Sequence, residues 1–295
     1  MAIRKILVPL SGQHDPEDPE SLELPALETG FVLGRKFDCH VEVFCIEAER
    51  STTRTHLAPW IPGAAVDELL ETIDKENEQR RQRARALFDA VSARFAPLSL
   101  SQPDANSGFS ANFVERVGEV RGSLAVRGRL ADLIVTARLP PASDDGRPLM
   151  LEVALRETGR PVLICSATTG EAFGHRVAVA WNGSAEASRA VAMAMDFLAA
   201  AEDVVVISVN EAGPFEPNAE NLVNFMRWHG VSARSITLDD TSGSVGELLL
   251  EQIAEAGADM LVMGAYTRDR LRSLVFGSVT GTVLARATLP VLMVD

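Results

Sequence analysis

The sequence predicts an α/β protein of two similar domains, each a doubly wound parallel sheet covered by helices on both faces. Its 295 residues fit two domains of about 150 residues each. Short apolar runs alternate with helical patterns through the second half, which is typical of parallel sheets buried on both faces. Right-handed crossovers between such strands give the double winding. Three segments of the first half also recur, in the same order, in the second half.

The internal repeat consists of three pairs of similar segments: Ile6–Gly12 with Val177–Gly183, Ala131–Ala137 with Ala258–Gly264, and Pro161–Ile164 with Pro290–Met293. The offset between the copies falls from 171 residues at the first pair to 127 at the second. The first copy therefore carries 44 extra residues between its first and fourth strands. We predict one domain at 1–168 and a second at 175–295, joined by a short linker.

The extra length of the first domain forms a long insertion at 47–95. Residues 64–95 contain no proline or glycine and are rich in good helix formers, so they predict one long helix or two abutting helices. Ahead of them, the segment 51–63 has Trp60 between two prolines and is typical of a loop. A second, shorter insertion at 13–20 lengthens the turn after the first strand.

The second half has the more regular pattern. It predicts strands at 176–181, 203–209, 232–237, 259–263 and 290–294. It predicts helices at about 185–200, 217–229, 244–256 and 279–287.

Charge and composition argue against several functions. The net charge of −13 and a pI near 4.9 disfavour nucleic acid or an anionic membrane as the main partner, because both require a basic surface. No apolar run approaches the roughly 18 residues of a membrane span. The beginning of the sequence does not resemble a signal peptide, and the three cysteines lack CxxC spacing. We therefore expect a cytoplasmic protein with reduced thiols.

The candidate ligand site follows the fourth strand of the second half. Ligands of such sheets bind beyond the carboxyl ends of the strands, where the strand order reverses. Here Gly264 ends a strand, and Gly277-Ser278 opens the last helix, whose free N–H groups and dipole favour an anion. Arg268 lies between them and could offset phosphate charge. A plain helix cap and a solvated arginine face are the alternative interpretations.

The spacing of these residues resembles that of the universal stress proteins, whose nucleotide-binding members carry Gly-x2-Gly-x9-Gly-Ser/Thr after the fourth strand. Gly264 matches the first glycine and Gly277-Ser278 match the end, while Thr267 stands where the second glycine belongs. The segments 179–184 and 289–294 also resemble the family's first and last strands. The resemblance covers nearly the whole chain as two tandem domains. It implies the strand order 3-2-1-4-5 of adenine nucleotide alpha hydrolase-like folds in each domain.

The resemblance implies an adenine-nucleotide site in the second domain. ATP is the expected ligand, with ADP or AMP as alternatives and Mg²⁺ as a companion ion. Asn182, which replaces the Asp of many members, would face the ribose, and Met263 and Gly264 would border it. Val209 would pack on the adenine. The N–H groups at the start of the last helix would meet the phosphates. The predicted binding residues are Ala180, Asn182, Val209, Met263, Gly264, Thr267, Arg268, Gly277, Ser278 and Val279.

The first domain lacks the equivalent loop. Ala137 and Pro140 replace the first two glycines, and Pro148-Leu149 or Met150-Leu151 stands where Gly-Ser belongs. Ser11 occupies the Asp position of the first strand. Because proline cannot donate an N–H and leucine has no hydroxyl, we expect no ATP cradle in this half.

No catalytic or metal-binding residues are predicted. The five histidines lack metal-ligand spacing, and no nucleophile elbow or Walker pattern occurs. We therefore expect a nucleotide-responsive protein of stress response or regulation, with ATP hydrolysis slow or absent. One alternative is a scaffold that binds no nucleotide. Another is an ATPase or adenylating enzyme that holds a substrate at the long insertion, where the loop at 51–63 is either a partner surface or a lid on its own domain.

The resemblance also implies how the halves pair. The last strands of paired domains commonly pack together in this family, which makes Pro161–Cys165 and Pro290–Val294 the expected interface of an internal pseudo-dimer. A homodimer is a further expected assembly.

Overall fold

The computed structural model describes residues 2–13, 23–48, 63–100, 104, 108–138, 147–166, 173–209, 217–239, 244–265 and 278–295. The chain divides into two compact units. The N-terminal unit is Arg4–Thr136 with Ser143–Thr158, and the C-terminal unit is Met1–Ile3, Ala137–Ala142 and Gly159–Asp295. The segment 159–166, expected to close the first domain, belongs to the C-terminal unit. Within the described residues, no helix is long and apolar enough to cross a membrane.

The N-terminal unit is an α/β structure with a parallel sheet. Its elements are β1 (Lys5–Leu10), α1 (Glu23–Phe37), β2 (His40–Ala48), α2 (Gly63–Phe95), β3 (Leu98–Ser99), β4 (Ser110–Gly118), α3 (Val120–Gly128), β5 (Leu133–Ala137) and α4 (Arg147–Glu157). The strands lie in the order β3-β4-β2-β1-β5, and each paired neighbour is parallel. β1 and β5 form the centre of the core because nearly all of their residues are apolar and buried.

The insertion contains a single helix of 33 residues, α2. Of the two predicted alternatives, the structure thus has one long helix and not two abutting helices. Its C-terminal part packs on α1 through aromatic side chains. The Phe31 ring, fully buried, lies edge-on to Phe88 and Phe95, with ring centroids 6.1 and 5.7 Å apart. Phe109, which precedes β4, contacts Phe31 in the same way. The loop at 51–62 and the short insertion at 14–20 lie outside the described residues.

The C-terminal unit is also α/β. Its elements are β6 (Val162–Cys165), β7 (Arg176–Ala180), α5 (Ala185–Met193), α6 (Met195–Ala200), β8 (Asp203–Val209), α7 (Ala219–Trp228), β9 (Ala233–Leu238), α8 (Val245–Glu255), β10 (Met260–Gly264), α9 (Ser278–Arg286) and β11 (Val291–Val294). The strand order is β6-β11-β10-β7-β8-β9. β6 runs antiparallel to β11, with Ile164 opposite Val291, while the other pairs are parallel.

The strands predicted for the second half begin and end within one residue of the observed bounds. The helix predicted at 185–200 is interrupted at Ala194, where the backbone leaves helical geometry (φ −89°, ψ 2°) and α6 begins. No proline or glycine marks this break, so the sequence pattern could not reveal it.

Candidate functional site

A cleft of about 200 Å³ opens in the C-terminal unit at the carboxyl ends of β7, β8 and β10. β7 lies between β8 and β10, so the chain leaves it toward one side of the sheet and returns on the other. This is the switch point at which open α/β sheets bind ligands. The lining residues are Ala180, Trp181, Asn182, Ser184, Glu186, Ile207, Val209, Val245, Leu249, Met263, Gly264, Ala265, Val279 and Thr280.

The cleft brings together six of the ten residues predicted from the sequence: Ala180, Asn182, Val209, Met263, Gly264 and Val279. Ser278 opens α9 at the cleft, but only its backbone is described. Thr267, Arg268 and Gly277 lie outside the described residues.

The segment after β7 has its polar atoms engaged within the chain. The Asn182 side-chain oxygen accepts the backbone N–H of Ser184 at 3.1 Å. The Ser184 hydroxyl in turn accepts the N–H of Ala187 at 3.2 Å and caps α5. Gly183 has φ +76°, a left-handed conformation that favours glycine. Gly183 and Ser184 therefore form the N-terminal cap of α5 and fix the direction in which this helix leaves the cleft.

Gly264 is required by packing. A Cβ placed on Gly264 would lie 2.6 Å from the backbone nitrogen of Ala187 and 2.8 Å from the backbone carbonyl carbon of Glu186. Neither backbone atom can move without shifting the first turn of α5. The glycine thus allows α5 to approach the end of β10. The sequence predicts Gly264 only as a residue that borders the ribose and does not reveal this packing role.

Eight of the fourteen lining residues were not predicted as binding residues, and two of these eight have contacts that shape the cleft. Trp181, with 6% of its surface exposed, donates its indole N–H to the Pro217 carbonyl at 2.7 Å and so links the end of β7 to the start of α7. The Glu186 side chain is buried and accepts a hydrogen bond from Arg189 at 3.0 Å. The spacing of three residues between this acid and this base was the available signal.

The corresponding place in the N-terminal unit is filled by the chain itself. The buried Glu23 carboxylate accepts the Ser11 N–H at 2.5 Å, the Ser11 hydroxyl at 2.6 Å and the Gly12 N–H at 3.2 Å. A Cβ on Gly12, which has φ +63°, would lie 1.9 Å from the Arg80 carbonyl oxygen of α2. Arg83 of α2 also donates to the Gly12 carbonyl at 3.0 Å. An internal carboxylate and the insertion helix therefore close off the end of β1.

No group of histidine, cysteine, aspartate or glutamate within the described ranges is arranged to hold a metal ion. The three cysteines are buried and none of them forms a disulfide, and burial raises the pKa of the Cys39 thiol to about 12, which disfavours the reactive thiolate.

Comparisons with known proteins agree with this architecture. Residues 231–295 match the model of the universal stress protein family. The stress response protein NhaX of Bacillus subtilis is 37% identical over 57 residues, which are 19% of this chain and 34% of that protein. The chain thus matches about a third of that relative's length.

Two solved structures resemble the whole chain. A universal stress protein from Archaeoglobus fulgidus has a TM-score of 0.65 at 15% identity and covers 99% of this chain and 98% of its own. A protein of unknown function from Pseudomonas aeruginosa has a TM-score of 0.56 at 17% identity, with coverages of 99% and 92%. At these identities the likeness concerns the fold. Residues 231–295 thus match the universal stress protein family, and the fold of the whole chain resembles that of a solved universal stress protein.

Proposed function

We propose that this protein binds one adenine nucleotide, ATP, in the cleft of its C-terminal unit and acts in stress response or its regulation. The observation that carries the proposal is the cleft at the switch point of a parallel sheet. It collects residues from β7, β8, β10 and α9 that the sequence assigned to a nucleotide site.

The apolar part of the cleft suits a nucleobase. Ile207 and Val209 end β8, Met263 lies on β10, and Leu249 contributes from α8. A flat base packed on these side chains would remove water from its own surface and from theirs. The removal of apolar surface from water is the main source of binding free energy for an apolar group. Backbone groups at the end of β8 would read its polar edge.

The polar end of the cleft suits phosphate. Val279 and Thr280, in the first turn of α9, line the cleft, and the free N–H groups of a helix start attract anions. The attraction of these N–H groups for phosphate has to overcome the repulsion from the chain's net charge of −13. Thr267, Arg268 and Gly277 complete the proposed phosphate site, with Mg²⁺ as its companion ion.

The proposal also includes the location, domain organisation and assembly of the chain. The chain is proposed to be a cytoplasmic tandem protein with domains at 1–168 and 175–295, each with strand order 3-2-1-4-5. The pseudo-dimer of the two halves and the homodimer stay predictions. Binding is favoured over turnover, because the described lining residues include no histidine and a single carboxylate, which is held by an arginine.

Calorimetry and thermal unfolding of the full chain with ATP, ADP and AMP, with and without Mg²⁺, test the proposal. At a nucleotide concentration 100 times the Kd, binding stabilises the folded state by about 2.7 kcal/mol. Ala180→Trp fills the cleft and should abolish this shift, whereas Ala200→Trp, at an exposed position on α6, should preserve it. A wild-type chain unaffected by every nucleotide would favour the scaffold alternative. Binding that survives Ala180→Trp would exclude this cleft as the site.

A further inference from the structure

Five polar side chains line the cleft, and most of them already have partners inside the chain. The Trp181 indole N–H is held by the Pro217 carbonyl, and the oxygens of Asn182 and Ser184 accept backbone N–H groups. Thr280 offers a hydroxyl. Glu186 brings the one carboxylate among the described lining residues, and a carboxylate can accept about four hydrogen bonds.

The Glu186 carboxylate is held in place. Only 9% of the residue is exposed, and a carboxylate withdrawn from water requires strong donors. Arg189 supplies one at 3.0 Å, and its own Nε donates to the Asp295 carbonyl at 3.1 Å, beyond the end of β11. The arginine thus connects Glu186 to the chain segment after β11 and fixes the side of α5 on which the carboxylate lies.

The position of Glu186 matches the sugar end of the proposed ligand. Its Cβ would lie 2.9 Å from a Cβ placed on Gly264, the residue against which the ribose is proposed to rest. A carboxylate repels phosphate but accepts two O–H groups from a vicinal diol. The phosphates would therefore lie toward α9 and the diol toward α5.

Building on the proposed function, we propose that Glu186 is the residue that recognises the ribose hydroxyls of the bound nucleotide. Asn182 stands at the position expected to face the ribose, but its side-chain oxygen is engaged by Ser184. Glu186, four residues later on the first turn of α5, supplies the charged acceptor instead. The cleft then selects ribonucleotides over their deoxy analogues.

The test compares ATP, 2′-deoxy-ATP and 3′-deoxy-ATP on wild type and Glu186→Gln, by calorimetry in EDTA and in Mg²⁺. Glutamine keeps the size of the side chain but removes its charge, so ATP affinity should fall about tenfold to a hundredfold. The loss should shrink for the analogue that lacks the contacted hydroxyl, as a double-mutant cycle requires. Glu220→Gln, an exposed acid in the first turn of α7, should leave all three affinities unchanged.

Several outcomes would overturn this inference. An equal loss for all three nucleotides would assign Glu186 a general structural role, and a loss seen only with Mg²⁺ would make it a cation ligand. ATP binding unchanged by Glu186→Gln would refute the inference while the proposed function stands. A wild-type chain that binds no nucleotide would refute both. If Glu186→Gln unfolds, Glu186→Asp, which keeps the charge but shortens its reach, should retain a weakened preference for ATP over the deoxy analogues.

Discussion

At the scale of single residues, Gly264 shows how packing and binding can require the same glycine. We predict that Gly264→Ala lowers the free energy of unfolding by about 1–3 kcal/mol, because the added Cβ would meet backbone atoms of Ala187 and Glu186. Chemical denaturation measures this loss. Gly122→Ala is the matched control. There the Cβ would meet only a side-chain oxygen of Glu119, which caps the exposed first turn of α3, so the loss should not exceed the roughly 1 kcal/mol of such a cap. Equal effects of the two substitutions would refute the packing argument.

Glu23 gives a second prediction at this scale. Its carboxylate satisfies two backbone N–H groups and one hydroxyl at the end of β1. Glu23→Gln should lower the free energy of unfolding by about 1–3 kcal/mol, since the amide nitrogen cannot accept these bonds. Glu28→Gln, on the same helix, removes only a partly exposed ion pair with Arg94, which is worth about 0–1 kcal/mol. If the Glu28 variant is the less stable of the two, the internal carboxylate does not support the N-terminal unit.

Glu23 and Glu186 show what the sequence could not reveal. The glycine, serine and asparagine positions of the site were predicted from the spacing of the motif. The two acids lie in the first turn of a helix, where acids are common because they interact favourably with the helix dipole. Whether such a carboxylate turns onto a backbone segment or into a cleft depends on its rotamer and neighbours, which no local pattern encodes.

At the scale of secondary structure, a polar cluster connects β1, β2, β4 and α3. His40 contacts the Ser110 hydroxyl at 2.9 Å and the Asn112 side-chain oxygen at 3.1 Å. Burial is the main reason that the pKa of His40 lies below its ordinary value. Glu42, two residues on, is buried as well, but hydrogen bonds from Arg127 and Lys5 outweigh that burial and lower its pKa.

The cluster predicts acid sensitivity. As pH falls, His40 takes up a proton near pH 6.5 in the unfolded chain but only at a lower pH in the folded protein. The contribution of His40 to the free energy of unfolding is therefore complete above about pH 6.5 and is lost as pH falls below that value. Glu42 acts in the same direction at lower pH, since its folded pKa is also lowered. Denaturation curves from pH 7.5 to 5.5 should show wild-type stability falling, with a shallower fall in His40→Gln. The exposed His229→Gln should follow wild type. Identical slopes in all three proteins would remove His40 as the cause.

Element bounds were the most predictable part of this molecule. Strands such as β8 and β10 consist mostly of apolar residues, and that pattern indicates both their length and their burial. The long helix α2 followed from the lack of proline and glycine in 64–95. Its contacts did not, because the backbone of Arg80 meets Gly12 about 70 residues away, and such pairings depend on the whole fold.

At the scale of the whole molecule, the first strands of the two units end in different surroundings. In the C-terminal unit this end opens into a cleft, and in the N-terminal unit it is filled by Glu23 and the backbone of α2. The insertion helix and one carboxylate thus fill, in the N-terminal unit, the place that forms a cleft in the C-terminal unit.

This asymmetry predicts a binding stoichiometry of one ATP per chain. Calorimetry with a known active protein concentration measures it directly, and two equivalent sites would contradict the argument. The stoichiometry should stay at one in Glu23→Gln, because the Arg80 carbonyl still crowds Gly12 when the carboxylate is gone. It should fall to zero in Ala180→Trp, where the cleft of the C-terminal unit is filled. Residual binding of one ATP in that variant would place a site in the N-terminal unit and require Glu23 to leave the Ser11–Gly12 segment when the ligand enters.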